Sequence, residues 1–267
     1  MPNPPSEKAI VESFVLSVTL PILLDLESSV ELLATGTLFK VSGRHFLVTA
    51  RHVFDGVSKP ENLAYPEAPL RGATHTFGKS VIVKPDDENI DVAVMLLDEP
   101  DTVERLTKSW QFLSLKNIAA PAVNAPDGHF FVAGYPASLT KSMDGWLSGS
   151  FVTAYTQRMP EAPVEATQPV SAELDLFFGY GKKAVSTSGI EIDTPELPGV
   201  SGASIWQPRK FVGAVWTPEA ALSVVGVQSS YIHSKYIRAK SWWAVAKVLE
   251  KIDPSLAFAV RSELSSL

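Results

Sequence analysis

The sequence contains no cysteine among its 267 residues. This absence excludes disulfide bonds, thiolate nucleophiles and zinc sites built from cysteine ligands. Secreted β-rich proteins often use disulfides, so the absence favours a reducing compartment, and we expect a cytoplasmic location. The N-terminal segment agrees with this expectation, because Glu7 and Glu12 stand where a secretory signal would have a basic start and an apolar run.

Long apolar runs and basic clusters are also scarce. The apolar stretch 14–26 is interrupted by Pro21 and Asp25 and is shorter than the ~20 residues that a transmembrane helix needs, so we interpret it as one or two buried strands. The chain has 29 acidic and 23 basic residues and a net charge of −6. We therefore expect neither nucleic acid nor a membrane as a partner.

No motif for a cofactor or a metal is evident. The chain has no glycine-rich phosphate-binding loop of the GxxxxGK[ST] type. Four histidines are scattered without the paired spacing of metal ligands, which favours structural or surface positions for them. They are His45, His75, His129 and His233. We expect no cofactor and no metal.

Short runs rich in Val, Ile, Phe and Tyr recur along the chain, and turn-forming residues separate many of them. This pattern predicts an all-β fold of the sandwich or barrel kind. The predicted strands are 13–20, 35–41, 44–50, 79–85, 91–97, 128–135, 149–155, 173–180, 202–207, 210–216 and 223–232.

Proline-rich segments interrupt the strand pattern. We predict loops at 60–72 and 156–170, and a linker between two lobes at 117–128. Residues 241–252 differ, because Trp242, Val245, Val248 and Leu249 follow helical spacing. We predict a terminal amphipathic helix there, with Ser241 as its N-cap and Pro254 just beyond its end.

The stretch ELPGVSGASIW, residues 196–206, allows two interpretations. It could be a plain turn that leads into a strand, or it could hold Ser201 ready to attack a carbonyl. A serine hydroxyl is a poor nucleophile until a base takes its proton. The second interpretation therefore requires a base, and a group to orient it, elsewhere in the chain.

Two further stretches offer such groups. His52 follows the predicted strand 44–50, a position that would suit a general base, although a lone histidine there is more often a surface or capping residue. Asp91 opens an apolar run, where an acid is costly unless it is paired, and an imidazole N–H would be a natural partner. The alternative for Asp91 is an ordinary turn aspartate.

Taken together, the order His52, Asp91, Ser201 resembles that of the trypsin-like (chymotrypsin-fold) serine peptidases, especially bacterial members without cysteine. The resembling stretches are 36–53, 89–97, 130–136, 198–206 and 224–231, so the resemblance spans most of the chain. It implies two packed six-stranded β-barrels with the triad between them and a C-terminal helix.

The resemblance also implies boundaries within a single peptidase domain, 1–267. Residues 8–120 would form the N-terminal barrel with His52 and Asp91. Residues 121–235 would form the C-terminal barrel with Ser201, and 236–253 the terminal helix.

By the same resemblance, Ser201 would be the nucleophile, His52 the general base and Asp91 the residue that orients it. Gly199 and Ser201 would supply the backbone N–H groups of the oxyanion hole. Val200 departs from the family, whose secreted members have an acid there that pairs with a new N-terminus. We therefore expect activity without N-terminal cleavage. Arg51 departs as well, since the family usually has a small residue there.

Substrate-binding residues follow from the resemblance by position. Glu196 would lie in the primary pocket wall, and Ser229 and Tyr231 on the strand that pairs with the substrate backbone. Glu196, with Glu191 and Asp193, could favour a basic side chain before the scissile bond, but the alternative that these carboxylates face solvent is the stronger one.

The expected function is a serine endopeptidase, with a protein or peptide as substrate. A protease in the cytoplasm would need narrow specificity, so we expect one dedicated partner protein, with a bacterial stress or defence system as one setting. The alternative is a catalytically occluded trypsin-like scaffold that binds a peptide or protein.

Overall fold

The structure is a computed structural model that describes residues 6–26, 29–57, 59–69, 71–121, 129–143, 146–185, 190–209 and 215–266. The helices are α1 (Glu7–Val18), α2 (Pro100–Ser109), α3 (Pro218–Ala221), α4 (Trp242–Ile252) and α5 (Pro254–Ser265). The strands of the N-terminal half are β1 (Thr19–Asp25), β2 (Val30–Val41), β3 (Arg44–Thr49), β4 (Leu63–Ala68), β5 (Arg71–Thr76), β6 (Val81–Val83) and β7 (Ala93–Leu96). Those of the C-terminal half are β8 (His129–Gly134), β9 (Thr140–Met143), β10 (Trp146–Gly149), β11 (Val152–Met159), β12 (Asp175–Gly179), β13 (Lys183–Val185), β14 (Glu191–Asp193), β15 (Ser204–Pro208), β16 (Leu222–Ile232) and β17 (Tyr236–Ser241).

The N-terminal strands form one antiparallel sheet of seven strands in the order β5-β4-β1-β2-β3-β7-β6. Within the described ranges its two edge strands, β5 and β6, do not pair with each other. The fold is thus mostly β, as predicted, but the expectation of two six-stranded barrels is not confirmed for this half.

The C-terminal half contains a closed barrel of six strands in the order β11-β12-β17-β16-β15-β8. Its interior is filled by large apolar side chains, among them Phe130, Phe178, Ile205 and Val225. One expected boundary was wrong: β17 is the strand that closes this barrel, so residues 236–241 do not belong to the terminal helix, which begins at Trp242. Closure leaves the barrel itself without free sheet edges and gives the turn at Ser201 a rigid support.

A shared core joins the two halves. It combines β3 and β7 of the sheet with β8, β15 and β16 of the barrel, and α1, α4 and α5 cover it. The rings of Phe39 and Trp242 pack edge to face, with 4.6 Å between their centroids. The ring centroids of Phe14 in α1 and Trp206 in the barrel lie 6.2 Å apart. Because large side chains from both halves are interleaved here, the sheet and the barrel are held in fixed relation.

The predicted strand 13–20 was wrong for most of its length, since α1 continues to Val18. The Ser6 hydroxyl accepts a hydrogen bond from the Ala9 N–H at 3.3 Å, which caps the helix. Phe14, Val15 and Val18 are buried on one face. The signal was present as spacing of apolar residues, but the high strand propensity of this run obscured it.

One other expectation also needs correction. The predicted loop 60–72 contains β4 and most of its hairpin with β5, and Leu63 and Tyr65 are buried in the core of the sheet. As predicted, the helix α4 ends at Ile252 and Pro254 lies just beyond it. Pro254 begins a further helix, α5, where proline is favoured because the first helical N–H needs no partner. Within the predicted linker, residues 122–128 lie outside the described residues, as do 210–214 of the predicted strand 210–216.

Ser241 precedes α4 as expected, but its hydroxyl donates to the Glu173 carbonyl at 2.9 Å and does not cap the helix. None of the described helices is long and apolar enough to cross a membrane.

Candidate active site

The pairing of two antiparallel strands brings His52 and Asp91 together. In β3 and β7, Thr49 lies opposite Ala93. His52 follows β3 in a short 3-10 turn, Arg51–Phe54, whereas Asp91 precedes β7. The end of one antiparallel strand lies beside the start of its neighbour. His52 and Asp91 therefore lie next to each other, just beyond the paired ends of β3 and β7.

Three hydrogen bonds connect the predicted triad. The backbone N–H of His52 donates to Asp91 Oδ1 at 2.9 Å, and His52 Nδ1 lies 2.7 Å from Asp91 Oδ2. On the other side of the ring, His52 Nε2 lies 3.1 Å from Ser201 Oγ. A carboxylate can only accept, so Nδ1 carries the proton and Nε2 is left to accept from the serine hydroxyl. The structure therefore brings His52, Asp91 and Ser201 together.

The two ionisable members of this group shift each other's pKa. The hydrogen bond to Asp91 raises the pKa of His52 above 6.5, with the Asp55 carboxylate adding to the effect and burial and Arg51 opposing it. Burial alone would raise the pKa of Asp91, but the hydrogen bonds and charge of His52 outweigh it and hold that pKa below 3.8. The pair is thus arranged to stabilise an imidazolium beside a carboxylate.

Ser201 lies in a tight turn in the segment between β14 and β15. Gly199 and Gly202 have φ angles of +89° and +88°, in the region that favours glycine. A Cβ on Gly199 would lie 2.6 Å from the Tyr135 carbonyl oxygen, so no other residue fits there. Among the described residues, no hydrogen bond uses the backbone N–H of Gly199 or of Ser201. Two unused amides beside the serine are what an oxyanion hole requires.

The three predicted substrate-binding residues differ from one another in burial and in contacts. Glu196 is exposed, in agreement with the alternative that it faces solvent. Ser229 is buried and donates to the Arg238 carbonyl at 3.2 Å, so its hydroxyl is committed within the barrel. Tyr231 is half-buried and its ring meets Tyr180 edge to face at 6.4 Å.

Three other charged side chains that the sequence analysis considered, those of Glu191, Asp193 and Arg51, each have an oppositely charged neighbour. Lys183 lies 3.0 Å from Asp193 and 3.9 Å from Glu191 across the β13–β14 hairpin, so these carboxylates already have a cation. Arg51 lies 3.9 Å from Asp55, one turn along the chain.

A buried ionic cluster was missed by the sequence analysis. Asp175 accepts hydrogen bonds from Lys240 at 2.5 Å and from Arg238 at 2.8 and 2.9 Å, and all three residues are buried. The signal was the alternation of apolar and charged residues over 236–240, which the helix prediction overlooked.

A cavity of about 170 Å³ lies beside this cluster. Asp91, Ser229, Arg238 and Lys240 contribute to its lining, but His52 and Ser201 do not. It therefore backs the acid of the triad and does not surround the serine. No group of three or more His, Asp or Glu side chains in the described part of the chain could hold a metal ion.

No family model and no curated protein matches the chain. Among the solved structures that match is one from work on how aromatic interactions drive the coupled folding and binding of the intrinsically disordered VPg protein of Sesbania mosaic virus. It is 14% identical, with a TM-score of 0.48, over 87% of this chain and 90% of that one. At this level of similarity it carries no argument about this chain.

Proposed function

We propose that the protein is a serine endopeptidase with Ser201, His52 and Asp91 as its triad. The observation that carries the proposal is the continuous hydrogen-bonded path from Asp91 through His52 to Ser201, at 2.7 and 3.1 Å. Each residue of this path belongs to a different segment of the chain, and the serine adjoins two unused backbone N–H groups. This mutual geometry is the one that a nucleophile, a base and an orienting acid require.

The proposed reaction follows from the atoms in place. Ser201 Oγ attacks the scissile carbonyl while His52 Nε2 takes its proton, and Asp91 stabilises the imidazolium. The oxyanion is bound by the N–H groups of Gly199 and Ser201. His52 then gives the proton to the leaving amine, and an acyl-enzyme remains. Water, activated by the same imidazole, attacks that ester and releases the acid and the serine hydroxyl.

The proposal includes a chymotrypsin-like fold of the trypsin-like peptidases. It is supported by the closed six-stranded barrel that carries the nucleophile, by the separate sheet that carries base and acid, and by the helices that follow the last barrel strand. The seven-stranded sheet would stand in the place of the first barrel of that fold.

The deciding experiment is labelling with a fluorophosphonate probe, which reacts with an activated serine. We expect the wild-type protein to be labelled and Ser201→Ala to lose labelling completely. Ser80→Ala, in the N-terminal half, is the control and should label as the wild type does, because within the described ranges its hydroxyl bonds to the Phe77 carbonyl and to no group of the predicted triad. Labelling that survives Ser201→Ala would refute the assignment, and a wild-type protein that never labels would favour the occluded scaffold.

We further propose narrow specificity for one dedicated protein, in the cytoplasm, with a bacterial stress or defence system as the setting. These extensions rest on the sequence and its resemblance. They predict weak digestion of casein compared with clean cleavage of one cellular protein. Broad digestion of unrelated proteins would contradict them.

A further inference from the structure

The four peptide groups around the nucleophile are all fixed by hydrogen bonds. The carbonyl of Pro198 accepts from the Ala137 N–H at 2.7 Å, and that of Val200 from the Ala203 N–H at 2.9 Å. In a trans peptide the C=O and the following N–H point in opposite directions. Fixing these two carbonyls therefore turns the N–H groups of Gly199 and Ser201 the other way, where no described group uses them.

The two remaining peptide groups are held through Thr35 of β2. The Thr35 hydroxyl donates to the Gly199 carbonyl at 2.7 Å, and the Thr35 N–H donates to the Ser201 carbonyl at 3.0 Å. Thr35 thus bonds to the peptide on either side of Val200 and Ser201. It is the contact through which the N-terminal sheet fixes the turn that belongs to the barrel.

Thr35 is itself fixed from several sides. Its hydroxyl accepts from the Tyr135 N–H at 3.2 Å while it donates to Gly199, so both capacities of the oxygen are in use. Its carbonyl accepts from the Thr49 hydroxyl at 2.8 Å. The side chain is fully buried. A buried hydroxyl with a defined donor direction and no solvent access can hold one peptide orientation in preference to another.

We infer that Thr35 is a positioning residue that holds the oxyanion hole open, an inference that rests on the proposed function. The residue before the nucleophile, Val200, is buried among apolar side chains and can form no ion pair to order the turn. The hydroxyl of Thr35 performs this ordering from the neighbouring sheet. The hole is therefore formed in the folded chain without any charged group at the turn.

Thr37 provides a matched control two residues along the same strand. It is also fully buried, and its hydroxyl also bonds across to the C-terminal half, to Ser204 Oγ at 2.7 Å. Its partner lies in β15 beyond the nucleophile turn. Replacement of either threonine by valine deletes one buried hydroxyl and keeps the side-chain shape. Thr35→Val loses the bonds to Gly199 and Tyr135, and Thr37→Val loses the bond to Ser204.

The test compares Thr35→Val, Thr35→Ser and Thr37→Val by the rate constant of fluorophosphonate labelling. We expect Thr35→Val to be about tenfold slower, the effect of one hydrogen bond, at an unchanged midpoint of the pH profile. Thr35→Ser, which keeps the hydroxyl, should recover most of the rate, and Thr37→Val should label as the wild type does. Equal rates for Thr35→Val and Thr37→Val would overturn the inference.

Amide hydrogen exchange over residues 197–203 supplies a second measurement that needs no catalysis. Thr35→Val should speed exchange at the donating N–H of Val200, whose peptide group loses its bond to the hydroxyl, whereas Thr37→Val should not. Unchanged exchange at Val200 would overturn the inference. If Thr35→Val does not fold, Thr35→Ala and Thr37→Ala are compared in the same way. A wild-type protein that fails to react with the probe would count against the proposed function alone, since the exchange comparison still decides the role of Thr35.

Discussion

Two aspartates in this molecule are held by basic partners in different ways. Asp91 faces a single histidine, and the two side chains are 22% and 42% exposed. Asp175 faces an arginine and a lysine, and its own side chain is 1% exposed. In both cases burial raises the pKa of the carboxyl, and in both cases hydrogen bonds and charge outweigh it, so the pKa falls below its usual value.

The difference lies in what the partner can do. The imidazole of His52 exchanges a proton near neutral pH and has a second nitrogen that reaches Ser201, so its pair with Asp91 can take part in a reaction. The guanidinium of Arg238 keeps its charge, and its other N–H groups bond to the carbonyls of Thr167 and Pro169. The Asp175 cluster therefore orders the loop that precedes β12, and it contains no imidazole that could exchange a proton near neutral pH. A lowered carboxyl pKa alone does not identify an active site.

The same substitution at both aspartates separates the two roles, and the larger effect is expected at Asp91. Asp91→Asn removes the acceptor that fixes the His52 tautomer and stabilises the imidazolium. We expect the labelling rate to fall by about 10⁴, with little change in the melting temperature. Measured rates within tenfold of the wild type would show that Asp91 is an ordinary turn aspartate.

Asp175→Asn should have the opposite profile. It leaves Arg238 and Lys240 buried without their carboxylate, and removal of one partner from such a group typically costs about 3–5 kcal/mol of unfolding free energy. Urea unfolding measures the change. Glu104→Ala is the control: Glu104 also has a lysine partner at 2.7 Å, but both side chains are about two-thirds exposed, and no measurable change is expected. A stable Asp175→Asn protein would remove the distinction between the two networks.

The smallest expected effect is a shift in pH dependence. Since the base must be neutral, labelling should rise with pH, with a midpoint above 6.5 in the wild type and a lower one in Asp91→Asn. The rates would be measured from about pH 5 to about pH 9. A midpoint at or below 6.5 in the wild type, or one that Asp91→Asn leaves in place, would contradict the coupling.

The two groups change the stability of the folded state in opposite senses as pH changes. Because the folded-state pKa of His52 is raised, its contribution is complete below the unfolded value and is lost as pH rises through the folded value. Because the pKa of Asp91 is lowered, its contribution is present above the unfolded value and is lost as pH falls through the folded one. The contribution from His52 is small, since more than a third of its side chain is exposed to solvent screening.

The local sequence pattern predicted strands correctly where residues of one type dominate a short run. The runs at 44–50, 173–180 and 223–232 each contain a strand, because β-branched and aromatic residues between turn signals have few other stable arrangements. It failed at 13–20 and at 60–72, where a cap and a hairpin partner outside the run decided the outcome. The strand at 236–240 was missed because the helix boundary implied by the resemblance covered it. The charges of Arg238 and Lys240 also make its alternation hard to interpret until their buried partner Asp175 is known.

Residue types and short motifs are enough to predict a β-rich chain without thiol chemistry and to single out His52, Asp91 and Ser201 in their order, because residue type and local spacing are properties of short segments. The three-dimensional fold is needed to show that one half closes into a barrel while the other is a seven-stranded sheet, and that Thr35 bonds to the turn at Gly199. These features depend on contacts between residues far apart in the chain, such as Val132 with Ile205 in the barrel and Thr35 with Gly199 at the turn. No short-range pattern encodes which distant partner a strand or a buried hydroxyl will meet.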